Sequence, residues 1–144
     1  LTIVGLLFGF GFVSFRDFSR RQQLTSVARE VKGELRLAQS KASAGEKPDD
    51  IKCNGINTLS SYSFTRINST SYQVTANCLG GSVVIKTGSL ADGISMTSTQ
   101  NTISFKVLGQ GTNITAGGSF VITLTQTGTN NRQLVTVTSG GEVK

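Results

Sequence analysis

The opening of the chain constrains its fold more than any other feature. Leu1 to Phe15 reads LTIVGLLFGFGFVSF, with no charged side chain before Arg16. A run this apolar must be buried in something: lipid, a neighbouring chain or the body of the protein. By itself it falls short of the roughly 20 residues that cross a bilayer. It also lacks the basic n-region and small-residue cleavage site of a signal peptide. Gly5 and Gly9 match the small-residue spacing of close helix packing in membranes, although Gly11 makes the whole run glycine-rich. Arg16, Arg20 and Arg21 follow at once. Basic residues there suit a membrane interface and favour its cytoplasmic side.

The pattern then turns helical. Leu24, Val27, Val31, Leu35, Ala38 and Ala42 recur at spacings of three and four, as on one face of a helix. Arg29, Lys32, Arg36 and Lys41 lie largely off that stripe. No proline occurs before Pro48, so one continuous helix of about 40 residues, about 60 Å long, is expected. Its first half is apolar all round and its second half amphipathic. Gly45 and Pro48 are placed to end it.

The rest reads as strands. Runs at Ser61–Thr65, Ser71–Thr75, Val83–Lys86, Ile94–Thr97, Thr102–Val107, Ser119–Thr125 and Leu134–Thr138 are rich in Thr, Val and Ile. Several alternate, as in Phe120, Ile122 and Leu124. Asn68-Ser69-Thr70 and Gly80-Gly81 sit where turns are needed, and Gly109, Gly111, Gly117, Gly118 and Gly128 punctuate the remainder. The fold class expected is α+β: a long N-terminal helix, apolar in its first half, packed on a small antiparallel β-rich globular head. Residues 1–22 form the apolar half, 23–47 the amphipathic half and 48–144 the head.

Charge and cysteine narrow the function. The net charge is +6, and residues 51–144 carry six basic but only two acidic side chains, Asp92 and Glu142. Such a bias attracts nucleic acid or anionic lipid, or simply keeps a surface soluble. The two cysteines, Cys53 and Cys78, point to one disulfide and an oxidising, extracytoplasmic compartment, with two buried thiols as the alternative. An outward-facing head competes with the cytoplasmic preference of the arginines. Asn68-Ser69-Thr70 and Asn113-Ile114-Thr115 match a glycosylation pattern that chance supplies in so Asn/Ser/Thr-rich a chain. Enzyme chemistry finds little material. The chain has no His, so the usual general base and a His partner for either cysteine are missing. Asp92-Gly93 reads as a turn, and Gly109-Gln110-Gly111 is not followed by the helix of a phosphate loop. No cofactor or metal site is expected, and the chain is read as not an enzyme.

Long apolar helix, amphipathic continuation and β-head together resemble the type IV pilins and type II secretion pseudopilins. Phe15-Arg16-Asp17-Phe18 with Arg20-Arg21-Gln22 is similar to that class's exit from its apolar segment. Glu34 to Ser40, Ile103-Ser104-Phe105 with Gly109, Ile122-Thr123-Leu124, Arg132, Val135-Thr136-Val137 and Gly141-Glu142-Val143 resemble successive segments of a GspH/FimT-type head. The resemblance covers nearly the whole chain. It implies a structural subunit of a pilus-like filament, with a minor pilin or pseudopilin of a type II secretion or DNA-uptake machine as the alternative. Mature pilins start Phe-Thr-Leu-Ile-Glu, whereas here Gly5 would stand at the acidic position. The register favoured instead aligns Phe15–Phe18 with the exit segment. It expects about nine further residues before Leu1 and an apolar run of about 24 residues, enough to span a bilayer.

The resemblance also implies partners and sites. The partners are further copies of the chain in a helical homopolymer, the assembly machinery including a prepilin peptidase, and the inner membrane before extraction to the cell surface. Leu1, Ile3, Val4, Leu6, Leu7, Phe8, Phe10, Phe12, Val13 and Phe15 would pack in the filament core. Arg16, Asp17, Arg20 and Arg21 would pair between subunits or form a solvated collar. Arg132 and Lys144 would give at most a weak DNA contact, because phosphate binding needs several clustered cations and Glu142 intervenes.

Overall fold

The computed structural model describes residues 2–144, with side chains from Phe15 onward. One helix, α1, runs Thr2–Ala44 over 43 residues, about 64 Å at the usual rise. It stops where the sequence stops it. Gly45 takes a left-handed conformation with φ 63°, its N–H donates to the Ala42 carbonyl at 3.0 Å, and Glu46 N–H donates to Lys41 at 3.0 Å. That backbone turn satisfies two otherwise orphaned carbonyls.

Seven strands follow: β1 Leu59–Arg66, β2 Ser71–Cys78, β3 Gly81–Ser89, β4 Ile94–Ser98, β5 Thr102–Lys106, β6 Ser119–Gln126 and β7 Arg132–Thr138. All seven fall on the runs expected from the sequence. β3 is the largest extension, starting two residues before and ending three beyond its expected run, because its pairing with β2 continues from Gly81 to Ser89. The strands form two antiparallel sheets, ordered β3-β2-β1-β5 and β4-β6-β7. The chain crosses between sheets at β4 and returns at β5. Backbone bonds seal the crossing: Met96 N–H donates to Ser69 at 2.7 Å and Leu90 N–H to Thr70 at 2.8 Å. Arg66 adds a side-chain bridge, from its Nε to Ser98 Oγ at 3.0 Å.

One core joins all three layers. Leu24, Val27, Val31, Leu35, Ala38 and Ala42 of α1 are buried, as their spacing required. They face Tyr62, Phe64, Tyr72, Val74 and Phe105 from the first sheet and Phe120, Ile122, Leu124, Val135 and Val137 from the second. Phe64 and Tyr72 stack with ring centroids 5.0 Å apart. The small residues Ala38 and Ala42 let the sheets approach the last turns of α1 closely. The fold is therefore α+β, a helix packed on antiparallel sheets. The apolar character expected for the first half of α1 rests on side chains before Phe15, which lie outside the described residues. Among the described residues no helix is long and apolar enough to cross a membrane.

The disulfide expected from the two cysteines is present, Cys53 to Cys78, with Cα atoms 5.2 Å apart. It ties the loop after α1 to the end of β2. The loop is seated by Lys52 Nζ on the Ser82 carbonyl at 3.2 Å and by Asn57 Nδ2 on the Ile51 carbonyl at 3.3 Å. Gly80 allows this fit, since a Cβ there would lie 2.6 Å from the Lys52 carbonyl oxygen.

Candidate functional site

The described part of α1 divides at Leu24. Every residue from Phe15 to Gln23 is exposed, and Leu24 is the first buried one. Phe15 is 73% exposed and Phe18 61%. The head takes hold of the helix just at this boundary. Gln126, buried at the end of β6, donates from Nε2 to the Arg20 carbonyl at 3.1 Å. Asn131 Nδ2 in turn donates to Gln126 Oε1 at 3.4 Å. This short relay fixes the β6–β7 turn against the helix, and with it the start of β7.

Arg16, Asp17, Arg20 and Arg21 are therefore presented on a helix surface that the head leaves open. The ion pairs among the described residues are Lys41–Glu46, Lys86–Glu34 and Lys144–Glu142. None involves these four side chains. Of the proposed core-packing residues, Phe15 is exposed, while the side chains of Leu1, Ile3, Val4, Leu6, Leu7, Phe8, Phe10, Phe12 and Val13 lie outside the described residues.

Arg132 and Lys144 are both exposed but are not brought together. Lys144 pairs through its backbone with Thr136, at 2.8 and 3.1 Å. Thr136 is four residues from Arg132, about 13 Å along a strand. Lys144 Nζ is also held by Glu142 at 3.3 Å. Arg132 lies instead beside α1. Arg21, Leu24, Thr25, Asn131 and Arg132 line one shallow groove of about 360 Å³. A second, of about 540 Å³, is lined by Phe18, Arg21, Thr25 and Arg29. The two share Arg21 and Thr25. The sequence reading missed this grouping. The four-residue spacing of Arg21, Thr25 and Arg29 was available to it, since such residues stack on one helix face. The approach of Arg132 depends on how β7 registers against α1.

A second polar cluster holds the far side of the helix. Tyr72 crosses β3 at Gly88, where a Cβ would sit 2.3 Å from the ring, and its hydroxyl donates to Glu30 Oε1 at 3.1 Å. Burial pushes the Tyr72 hydroxyl pKa up, and the Glu30 carboxylate adds to the shift. One turn on, Lys86 of β3 donates to Glu34, which is only 7% exposed. The bond to the Glu34 carboxylate raises the Lys86 pKa. Glu34 Oε2 is buried without a hydrogen-bond partner among the described residues. These contacts clasp the edge strand β3 to α1, and they read as structural. Asn68 is likewise occupied, its side-chain oxygen accepting from Thr70 N–H at 2.8 Å and Ser71 N–H at 2.9 Å. Among the described residues no group of three or more His, Cys, Asp or Glu side chains is placed to hold a metal ion. Comparison with protein-family models, with curated proteins and with solved structures finds no match to this chain.

Proposed function

We propose that this chain is the structural subunit of a type IV pilus-like filament, polymerised through the N-terminal half of α1. The observation that carries the reading is the division of one helix at Leu24. Beyond it, every third or fourth side chain is buried in the head; before it, every residue from Phe15 to Gln23 is exposed. The uncharged and largely apolar sequence of residues 1–14 precedes that open stretch. A rigid rod with an apolar end must find its cover outside its own head.

The assembly follows from that division. Before assembly, lipid covers the apolar end. Leaving the bilayer exposes that surface unless neighbouring helices rebury it at once. At about 25 cal/mol per Å² of apolar surface, a bundle of such helices gains many kcal/mol per subunit. Arg16, Asp17, Arg20 and Arg21 form the polar collar between this dry centre and the heads. The Cys53–Cys78 bridge suits a head that lives outside the cytoplasm.

The test is to shear surface fibres from cells making the full-length protein and weigh their constituents by mass spectrometry. Fibres built mainly of this chain support the reading. A chain that is rare in the fibre makes it a minor pilin or pseudopilin. A chain that occurs only as membrane-held monomers sinks the filament claim.

A further inference from the structure

We infer that Asn54 is a self-modifying residue: the Gly55 backbone nitrogen attacks its side-chain amide, and water turns the product into aspartate and isoaspartate. The inference goes beyond the filament reading and does not depend on it.

Asn54-Gly55 is the chain's single Asn-Gly step. It sits in the loop after α1, in a turn that Asn57 N–H closes on the Asn54 carbonyl at 3.2 Å. Asn54, Gly55 and Ile56 are all exposed. Gly55 has φ 62°, a conformation open to glycine, and a Cβ there would meet nothing within 4 Å. Its N–H has no acceptor among the described residues, so no bond has to break before its nitrogen turns on the neighbouring amide. That amide is barely held: Asn54 Nδ2 reaches Asp49 Oδ1 at 3.5 Å, the limit of a hydrogen bond.

The other asparagines are better secured. The N–H after Asn113 donates from Ile114 to Thr112 Oγ1 at 3.2 Å, and the N–H after Asn130 donates from Asn131 to Thr129 Oγ1 at 3.2 Å. Asn68 and Asn101 have side-chain oxygens fixed by Thr70 N–H and Arg66. Asn77 Nδ2 is held by Ser63 at 2.6 Å, and Asn57, followed by the β-branched Thr58, is held on the Ile51 carbonyl. Groups tied in this way react only after local opening.

The chemistry needs water alone. Gly55 N–H gives its proton to solvent base. The nitrogen bonds to Asn54 Cγ, the Cγ–Nδ2 bond breaks, and Nδ2 leaves as ammonia. Water then opens the succinimide ring. Cleavage between nitrogen and Cγ gives aspartate; cleavage between nitrogen and the main-chain carbonyl carbon gives isoaspartate. Either product sets a carboxylate where the amide now meets Asp49, so a weak attraction becomes a repulsion between like charges. Isoaspartate also lengthens the main chain next to the bridged Cys53.

The experiment incubates the full-length protein in detergent at mildly acidic and mildly alkaline pH, folded and in urea. Peptide mass spectrometry follows the amide-to-acid exchange at each asparagine, and labelling by an isoaspartyl methyltransferase marks isoaspartate in the same peptides. A hydrogen bond that must open first slows the attack by about fivefold to tenfold. In the folded protein Asn54 should therefore convert at least about tenfold faster than Asn101, Asn113 or Asn130. Alkaline pH should speed it, because the attacking nitrogen must lose its proton, and urea should change it little. Asp92-Gly93 expels hydroxide in place of ammonia and isomerises without a change of mass, so the two steps are told apart. Asn54→Gln should silence the peptide carrying residues 53–66; exchange that persists there belongs to Asn57 and overturns the assignment. An Asn54 that converts in urea but stays intact in the folded protein, or that converts no faster than the secured asparagines, also overturns it.

Discussion

Two stretches of the same helix behave differently, and the contrast carries the functional argument. From Leu24 to Ala42 one face of α1 is sealed against two sheets. From Phe15 to Gln23 every side chain is exposed, two phenylalanines included. Helix propensity does not separate the stretches, since neither contains proline. The difference lies in what the head supplies: a core beyond Leu24 and, at the boundary, one hydrogen bond from Gln126. A helix without tertiary cover loses the packing that normally stabilises it. The first stretch is the part of α1 that the proposed filament would cover.

Substitutions on each side of the boundary should sharpen this contrast. Leu35→Ala, in the sealed stretch, should lower the unfolding free energy of the head by roughly 2–5 kcal/mol in denaturant titration. Replacing Cys53 and Cys78 by Ser opens a bridge between residues 25 apart; the loss should be roughly 3 kcal/mol. Gln126→Ala cuts the bond at the boundary and should cost about 1 kcal/mol, with faster hydrogen exchange in residues 20–24 and little change near Ala42. Leu108, exposed with φ 56° in the turn after β5, carries left-handed strain, so Leu108→Gly should raise stability by about 1 kcal/mol. Phe18→Ala, in the open stretch, should leave head stability within about 0.5 kcal/mol while lowering the yield of sheared fibres. A large loss of head stability from Phe18→Ala would break the contrast outright.

The clasp on the opposite side of α1 adds a pH-dependent check. The Lys86 pKa is raised in the folded protein above its ordinary 10.5. Its contribution to stability is therefore fully present below that value, and it is lost as pH rises through the raised pKa. The stability difference between wild type and Lys86→Met should stay constant from neutral pH to about 10.5 and shrink above it. A difference that disappears between pH 7 and 9 would contradict the assigned clasp.

The helix stripe and the strand runs were legible because burial imposes a period on sequence. Leu24, Val27, Val31, Leu35, Ala38 and Ala42 announce a face, and the alternation of Phe120, Ile122 and Leu124 announces another. Helix-end signals were also local: Gly45 needs its left-handed turn wherever the rest of the chain goes. What could not be read was contact between elements far apart in sequence. Gln126 meets Arg20 across 106 positions. Lys86 finds Glu34, and Arg132 finds Arg21, only because antiparallel registers place them there. Burial of Glu34 ran against its residue type, since a carboxylate in a helix ordinarily marks a solvated face. The distance between Arg132 and Lys144 was hidden for the same reason: the tail folds back along β7 and pairs Lys144 with Thr136.

The most direct test of the central claim is the structure of the fibre itself, by cryo-electron microscopy of filaments sheared from cells making the full-length protein. The account predicts that residues 1–15 of neighbouring subunits pack side by side in a dry central bundle, with residues 16–23 as a polar collar around it and Leu24 onward meeting only its own head. A fibre held together by heads alone, with the stretch before Leu24 lying free in solvent, would contradict it.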